Sequence, residues 1–157
     1  MKIKKATIKD ISKVLELSKE FMQEHSKISR YKSPTSIELR VKEKKKIFEG
    51  DIKSGKGAIF LAKLNKKLIG YVFVLGFIPK KVSNTKDFGY ISDLYILKEF
   101  RKKGLAKELI SRAEKWLKKS GYKEISLDVN NFNMKAKRLY NKLGYFKESY
   151  CLRKKLK

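Results

Sequence analysis

Tyr90-Ile-Ser-Asp-Leu-Tyr-Ile-Leu-Lys-Glu-Phe-Arg-Lys-Lys-Gly-Leu-Ala-Lys-Glu-Leu-Ile110 carries three signals in succession. An apolar run reads as a buried strand. A basic turn with a single glycine follows, and then an amphipathic helix begins. A glycine turn that opens a helix after a strand points several backbone N–H groups at the positive end of the helix, which suits an anion such as phosphate. The spacing Arg101-x-x-Gly104-x-Ala106 lacks the three glycines of a dinucleotide fingerprint. It also lacks the Gly-Lys-Ser/Thr end of a P-loop.

Upstream, Lys2 to Thr7 alternates as a first strand, and Thr7-Ile-Lys-Asp10 starts a helix. Ile11, Val14, Leu15, Ser18, Phe21 and Met22 give that helix one face, which fades near Glu24-His25-Ser26. Ser33-Pro34 breaks the chain, and a second helix is expected over 35–52 with Ile37, Val41 and Phe48 inward. The charge run Lys42 to Lys46 reads as a solvated helix face. Strands 58–64 and 68–77 form a hairpin about Asn65-Lys66-Lys67, and the second, apolar on both sides, belongs in the middle of a sheet. Pro79 to Asp87 is a loop before strand 88–97.

Downstream of the basic turn, Leu105, Leu109, Ile110, Ala113, Trp116 and Leu117 stripe a helix that stops at Ser120-Gly121. Ile125, Leu127 and Val129 alternate as a strand ended by Asn130-Asn131. Met134, Ala136, Leu139, Tyr140 and Leu143 make one more helical face, closed by Gly144, and 145–152 reads as a final strand. The order β-α-α-β-β-β-α-β-α-β predicts a single α/β domain over 1–157. Its sheet is mixed and mostly antiparallel, with helices flanking it. The strand–helix–strand unit 88–129 supplies a parallel pair, and its ligand crevice lies at the carboxyl end of strand 88–97.

Composition supports an ordered domain: 41% of the residues are hydrophobic and 11% aromatic. Met1-Lys-Ile-Lys-Lys5 lacks a signal-peptide core, and the apolar run 68–78 is about half of the ~20 residues a membrane helix needs, so a cytoplasmic location without membrane contact is expected. Cys151 stands alone, which removes disulfide and cysteine-metal frameworks, and reads as a small buried residue. His25 reads as loop surface or the rim of a site. The formal net charge of +25 comes mostly from lysine. Such a field attracts polyanions, so association with nucleic acid or the ribosome is one reading and a solvated lysine-rich surface the other.

A second patch joins the first. Asn130-Asn-Phe-Asn133-Met-Lys-Ala136-Lys-Arg-Leu-Tyr140-Asn-Lys-Leu-Gly144-Tyr145 follows one strand later. With Asp93-Leu-Tyr-Ile96 and Arg101-x-x-Gly104-x-Ala106 before it, this resembles the GCN5-related N-acetyltransferases (GNAT). By motif the resemblance covers roughly Phe77 to Leu156, and before that only the order of elements agrees. It implies acetyl-CoA as co-substrate, no metal, and a primary amine as acceptor.

By that resemblance the amides of Lys102, Lys103, Gly104, Leu105 and Ala106 bind the pyrophosphate, with charge added by Arg101, Lys102 and Lys103. Leu94, Tyr95 and Ile96 offer backbone bonds to the pantetheine arm, and an amide near Ile96 polarises the carbonyl. Asn133 is a helix cap or faces the cofactor. Tyr140 is the general acid for the leaving thiolate. Asp93 is either the base or a structural carboxylate at a strand bulge, and Glu99 is surface. Residues 20–35 are the lid on the acceptor side.

One departure stands out. After Gly144 there is room for one strand, where many family members end in a two-strand hairpin that walls the acceptor site. The wall is then missing or comes from a second copy, as in a homodimer. The field favours a protein N-terminus or lysine over a polyamine as acceptor. The alternative function is a non-catalytic basic module that retains the fold and binds RNA or the ribosome.

Overall fold

A computed structural model describes residues 1–29, 33–76, 88–152 and 154. The elements are β1 (Lys2–Lys5), α1 (Ile11–Ile28), α2 (Ile37–Ser54), β2 (Gly57–Leu64), β3 (Lys67–Leu75), β4 (Phe88–Ile96), α3 (Leu105–Lys119), β5 (Glu124–Leu127) and α4 (Met134–Lys142). The five strands lie side by side in chain order, β1-β2-β3-β4-β5. Every neighbouring pair is antiparallel except β4 and β5, which are parallel. This is the mixed, mostly antiparallel sheet expected, with the apolar β3 at its centre.

Two faces cover the sheet. Phe48 of α2 packs edge-on against Phe73 of β3, with ring centroids 4.7 Å apart. On the opposite face, a Cβ at Gly89 would overlap Leu117 of α3. Only glycine lets α3 approach β4 this closely. Ile59, Leu61, Tyr71, Val72, Val74, Leu109 and Ile110 fill the interior.

The first helix begins as the Thr7–Asp10 pattern requires. Asp10 accepts from the Thr7 N–H and hydroxyl, both at 3.1 Å. It is also paired with Lys4 at 2.9 Å and Lys63 at 3.2 Å, so one carboxylate joins β1, β2 and the start of α1. α1 runs to Ile28, past the polar residues where its face fades, because Phe21 and His25 still pack there at 5.8 Å. His25 is therefore a half-buried helix residue and not a loop residue. In α2, which Ser36 caps through the Leu39 N–H, only Phe48 is fully buried, while Ile37 and Val41 are half-buried.

The final strand over 145–152 is not formed among the described residues. Alternation alone cannot make a strand, because its N–H and C=O groups need a ladder partner. β5 offers only a four-residue, half-buried neighbour. The segment is exposed instead, with Phe146 at 87% and Leu152 at 90% of their accessible surface. Cys151 is exposed with it and not buried. The loop expected over Pro79–Asp87 lies outside the described residues.

Burial alone would raise the Asp10 pKa, but bonds from Lys4, Thr7 and Lys63 outweigh it and hold the carboxyl well below the usual carboxylate range. A depressed folded-state pKa adds stability above the unfolded value and loses it as the pH falls. Asp10→Asn is expected to cost about 2 kcal/mol at pH 7 by chemical denaturation. The difference from the parent chain should shrink progressively below about pH 4.

Candidate functional site

β4 pairs with β3 along most of its length, from Tyr90 opposite Leu75 to Ile96 opposite Gly70. Its pairing with β5 covers only Phe88–Ile91 against Glu124–Leu127. Among the described residues, β4 therefore has one open edge from Ser92 to Ile96. Leu97 donates its N–H to the Ile69 carbonyl at 3.0 Å, which fixes the alternation. Counting back by twos, Tyr95 and Asp93 bond toward β3, and Leu94 and Ile96 turn their backbone groups outward. The Ile96 carbonyl confirms the direction, since it accepts from Arg101 Nε at 2.7 Å and not from β3.

The bulge between Phe73 and Val74 leaves Ser92 without a partner. The extra residue reverses the side-chain alternation. Asp93 and Tyr95 thereby face α1 and α2, while Leu94 and Ile96 face α3. Asp93 is 3% exposed and fully engaged. Lys44 Nζ lies 2.6 Å from Oδ2 and 2.8 Å from Oδ1, and the Tyr71 hydroxyl donates to Oδ2 at 3.0 Å. Burial and this carboxylate push the Tyr71 pKa well up, so the phenol is a permanent donor. At the bulge, both oxygens of Asp93 are thus bonded to side chains from α2 and β3.

Lys44 came from the charge run read as solvated. Its neighbours in that run are exposed, but it alone reaches inward, over the rings of Phe21 and Phe48 at 5.8 and 5.7 Å. No local signal separates it from Lys42, Lys45 and Lys46. Only its position seven residues after Ile37, on the same helical face, hints at burial.

Beyond β4 the chain makes a short turn and reaches α3. Lys102 has φ 64° and Gly104 has φ 78°, both in the left-handed region. Gly104 is the N-cap of α3, and among the described residues no side chain caps that helix. The first N–H groups of a helix have no intrahelical partner, so here they are left facing outward. A Cβ at Gly104 would meet nothing within 4 Å, so its conformation demands glycine and the space before it is open. Lys102 and Lys103 are exposed at the same turn, and neither forms an ion pair among the described residues. The side chain of Leu105 belongs to the core, and Ala106 is half-buried, so these two contribute backbone only. Glu99 is exposed and pairs with Lys67 at 3.3 Å, as a surface residue would.

Arg101 is directed elsewhere. Its Nη2 lies 2.9 and 3.1 Å from the two carboxylate oxygens of Glu24 on α1. Its guanidinium also stands over the Tyr95 ring, 5.4 Å from the centroid. The Tyr95 hydroxyl is 2.9 Å from Glu24 and 3.1 Å from Glu20. Both glutamates fall within residues 20–35, expected on the acceptor side, but no local signal singles either of them out.

α4 carries the second patch. The Asn133 side chain caps it by accepting the Ala136 N–H at 3.1 Å. Tyr140 is 9% exposed, within the core cluster, and meets the Tyr145 ring edge-on at 5.4 Å. Burial pushes its phenol up to about 12. At the far side of the opening, Tyr90 bonds Asp128 at 2.9 Å across the last paired residues of β4 and β5. Among the described residues no three His, Cys, Asp or Glu side chains gather as a metal cluster.

The family model described as the acetyltransferase (GNAT) family matches residues 16–145. A stretch of 59 residues is 39% identical to N-alpha-acetyltransferase MAK3 of Arabidopsis thaliana, covering 38% of this chain and 31% of that protein. An acetyl transferase structure from Pyrococcus furiosus matches with TM-score 0.77 and 26% identity over 99% of both chains. An acetyltransferase of Clostridium acetobutylicum, solved with acetyl-CoA, matches with TM-score 0.77 and 20% identity over 98% of this chain and 95% of its own. Removing one partner of a buried ion pair strands the other, so Lys44→Met is expected to lower unfolding stability by about 3 kcal/mol in a denaturant titration.

Proposed function

Because the chain belongs to the acetyltransferase (GNAT) family, whose model spans residues 16–145, we propose that it transfers acetyl from acetyl-CoA directly to a primary amine, and that the amine is a protein N-terminus. The observation that carries this reading is the open edge of β4 leading into an uncapped helix start. An extended pantetheine arm would bond to Leu94 as an added strand, which leaves the Ile96 N–H for the thioester carbonyl. The diphosphate would then lie on the amides of 102–106, with Lys102 and Lys103 beside it.

In the reaction the amine nitrogen forms a bond to the thioester carbonyl carbon. The resulting oxyanion accepts the Ile96 N–H. The C–S bond then breaks as Tyr140 supplies a proton to the sulfur; the nitrogen gives its surplus proton to water, and that proton returns to Tyr140. With its pKa at about 12, the phenol stays protonated at every working pH and is always loaded. A thiol near ~8.5 is the stronger acid, so Tyr140 shares its proton while the bond breaks and does not ionise in advance.

The choice of acceptor rests on acidity. Both oxygens of Asp93 are engaged, so it is a poor base for a lysine near pKa ~10.4. An α-amine near ~7.7–8.0 is neutral in roughly one molecule in ten at pH 7 and needs little help. The partial identity to MAK3 supports the same acceptor.

The test is a peptide panel with free thiol as readout, set beside thermal unfolding with acetyl-CoA. Acetyl-CoA at a hundred times its dissociation constant should stabilise the chain by ~2.7 kcal/mol. Peptides with free α-amines should release thiol, and rates should rise with pH to about 8 as the amine deprotonates. Blocking the α-amine while leaving lysines free should abolish release, and continued release would overturn the proposed acceptor. Tyr140→Phe should lower kcat about a hundredfold and leave acetyl-CoA affinity within about twofold.

A further inference from the structure

Three groups of the turn could meet a diphosphate with a positive side chain, yet they are not equivalent. Lys102 and Lys103 are exposed and project from the turn without a carboxylate partner among the described residues. Arg101 has Nε on the Ile96 carbonyl and Nη2 on Glu24, and it stacks on Tyr95. Swinging it toward a phosphate would leave the Ile96 carbonyl without its donor. Glu24 would keep only the shared Tyr95 hydroxyl and Lys98 at 4.0 Å. A hydroxyl has one proton, and Tyr95 stands between two carboxylates, so it cannot satisfy both.

Resting on the acetyl-transfer reading above, we propose that Glu24 is a positioning residue: by holding Arg101 it fastens the C-terminal end of α1 to the open edge of β4, so Arg101 serves the acceptor side and not the diphosphate. The geometry supports a clamp. Glu24 and Glu20 are one helical turn apart and both meet Tyr95. Phe21, between them, packs on the same ring at 6.0 Å. One face of the end of α1 is thus fixed to Tyr95 and Arg101, which flank Ile96, the residue whose N–H would meet the oxyanion. An amine reaching that carbonyl passes the end of α1, so the clamp sets both the path of the amine and the direction of the Ile96 N–H. Burial works against the charge on Glu24, but bonds from Arg101 and Tyr95 and the charges of Arg101 and Lys98 outweigh it and hold the carboxyl below its ordinary range. The clamp is therefore ionised throughout the neutral range.

The experiment is a double-mutant cycle on Glu24→Gln and Arg101→Gln, read three ways. Thermal unfolding of the chain without ligand tests the pair itself. Coenzyme A affinity by calorimetry tests the diphosphate, and kcat and KM for the peptide test the acceptor side. Each single variant should lower kcat/KM for the peptide roughly tenfold, and the double variant should be no worse than either. Coenzyme A affinity should stay within about twofold in all three. If Arg101→Gln weakens coenzyme A tenfold or more while Glu24→Gln does not, Arg101 is a phosphate ligand and the proposal is overturned. Additive effects on unfolding and on kcat/KM would overturn it as well. Failure of the parent chain to bind coenzyme A would instead sink the acetyl-transfer reading, and the unfolding cycle would still decide whether the pair is coupled.

Discussion

A strand with more edge than partner governs this molecule. β4 is bonded to β3 through Ile96, but its parallel neighbour β5 stops opposite Ile91. Backbone groups within a fold must be paired, solvated or given to a ligand. Leu94 and Ile96 hold theirs toward an opening, and among the described residues just one of these groups is taken, the Ile96 carbonyl by Arg101. The Ser92 bulge sits at the start of this unpaired stretch. It turns Asp93 and Tyr95 to the α1/α2 face, and both then serve as anchor points for those helices. The same irregularity thus opens an edge for a ligand and ties down the helices beside it.

Charge has a second organising role. With 41 basic and 16 acidic residues, cations are in surplus and carboxylates are scarce. Three of the carboxylates stand where elements meet. Asp10 joins β1, β2 and the start of α1, Asp93 joins α2 to the bulge, and Glu24 joins α1 to the turn after β4. Most lysines are solvated and interchangeable, whereas these acids each have defined partners. A partly buried pair is weak as a source of stability but strong as a constraint on geometry, because the wrong arrangement strands a charge. In the turn after β4, Lys102 and Lys103 face outward with no carboxylate partner among the described residues.

Much of this was legible in the residues. The stripe Leu105 to Leu117, the Thr7–Asp10 start and the apolar β3 each obey a local period or cap, and each appears where expected. Gly104 was identified by its place between strand and helix, and its left-handed backbone agrees. The errors share one cause. Lys44 looks like its charged neighbours and Cys151 like a small core residue, because burial depends on what arrives from elsewhere in the chain. The strand expected over 145–152 failed for the same reason, since a ladder needs a second strand and the sequence pattern describes only one.

By itself, then, the sequence determined the elements up to α4, their order, the parallel β4–α3–β5 unit and the turn that ends in Gly104, because hydrophobic period, caps and backbone freedom are properties of neighbouring residues. Tertiary structure alone decided that β5 falls short of β4, that the two oxygens of Asp93 belong to Lys44 and Tyr71, and that Arg101 turns back to Glu24. Those are contacts between residues 22, 49 and 77 positions apart. No local pattern encodes them, and they exist only once the sheet has placed α1 and α2 against the far end of β4.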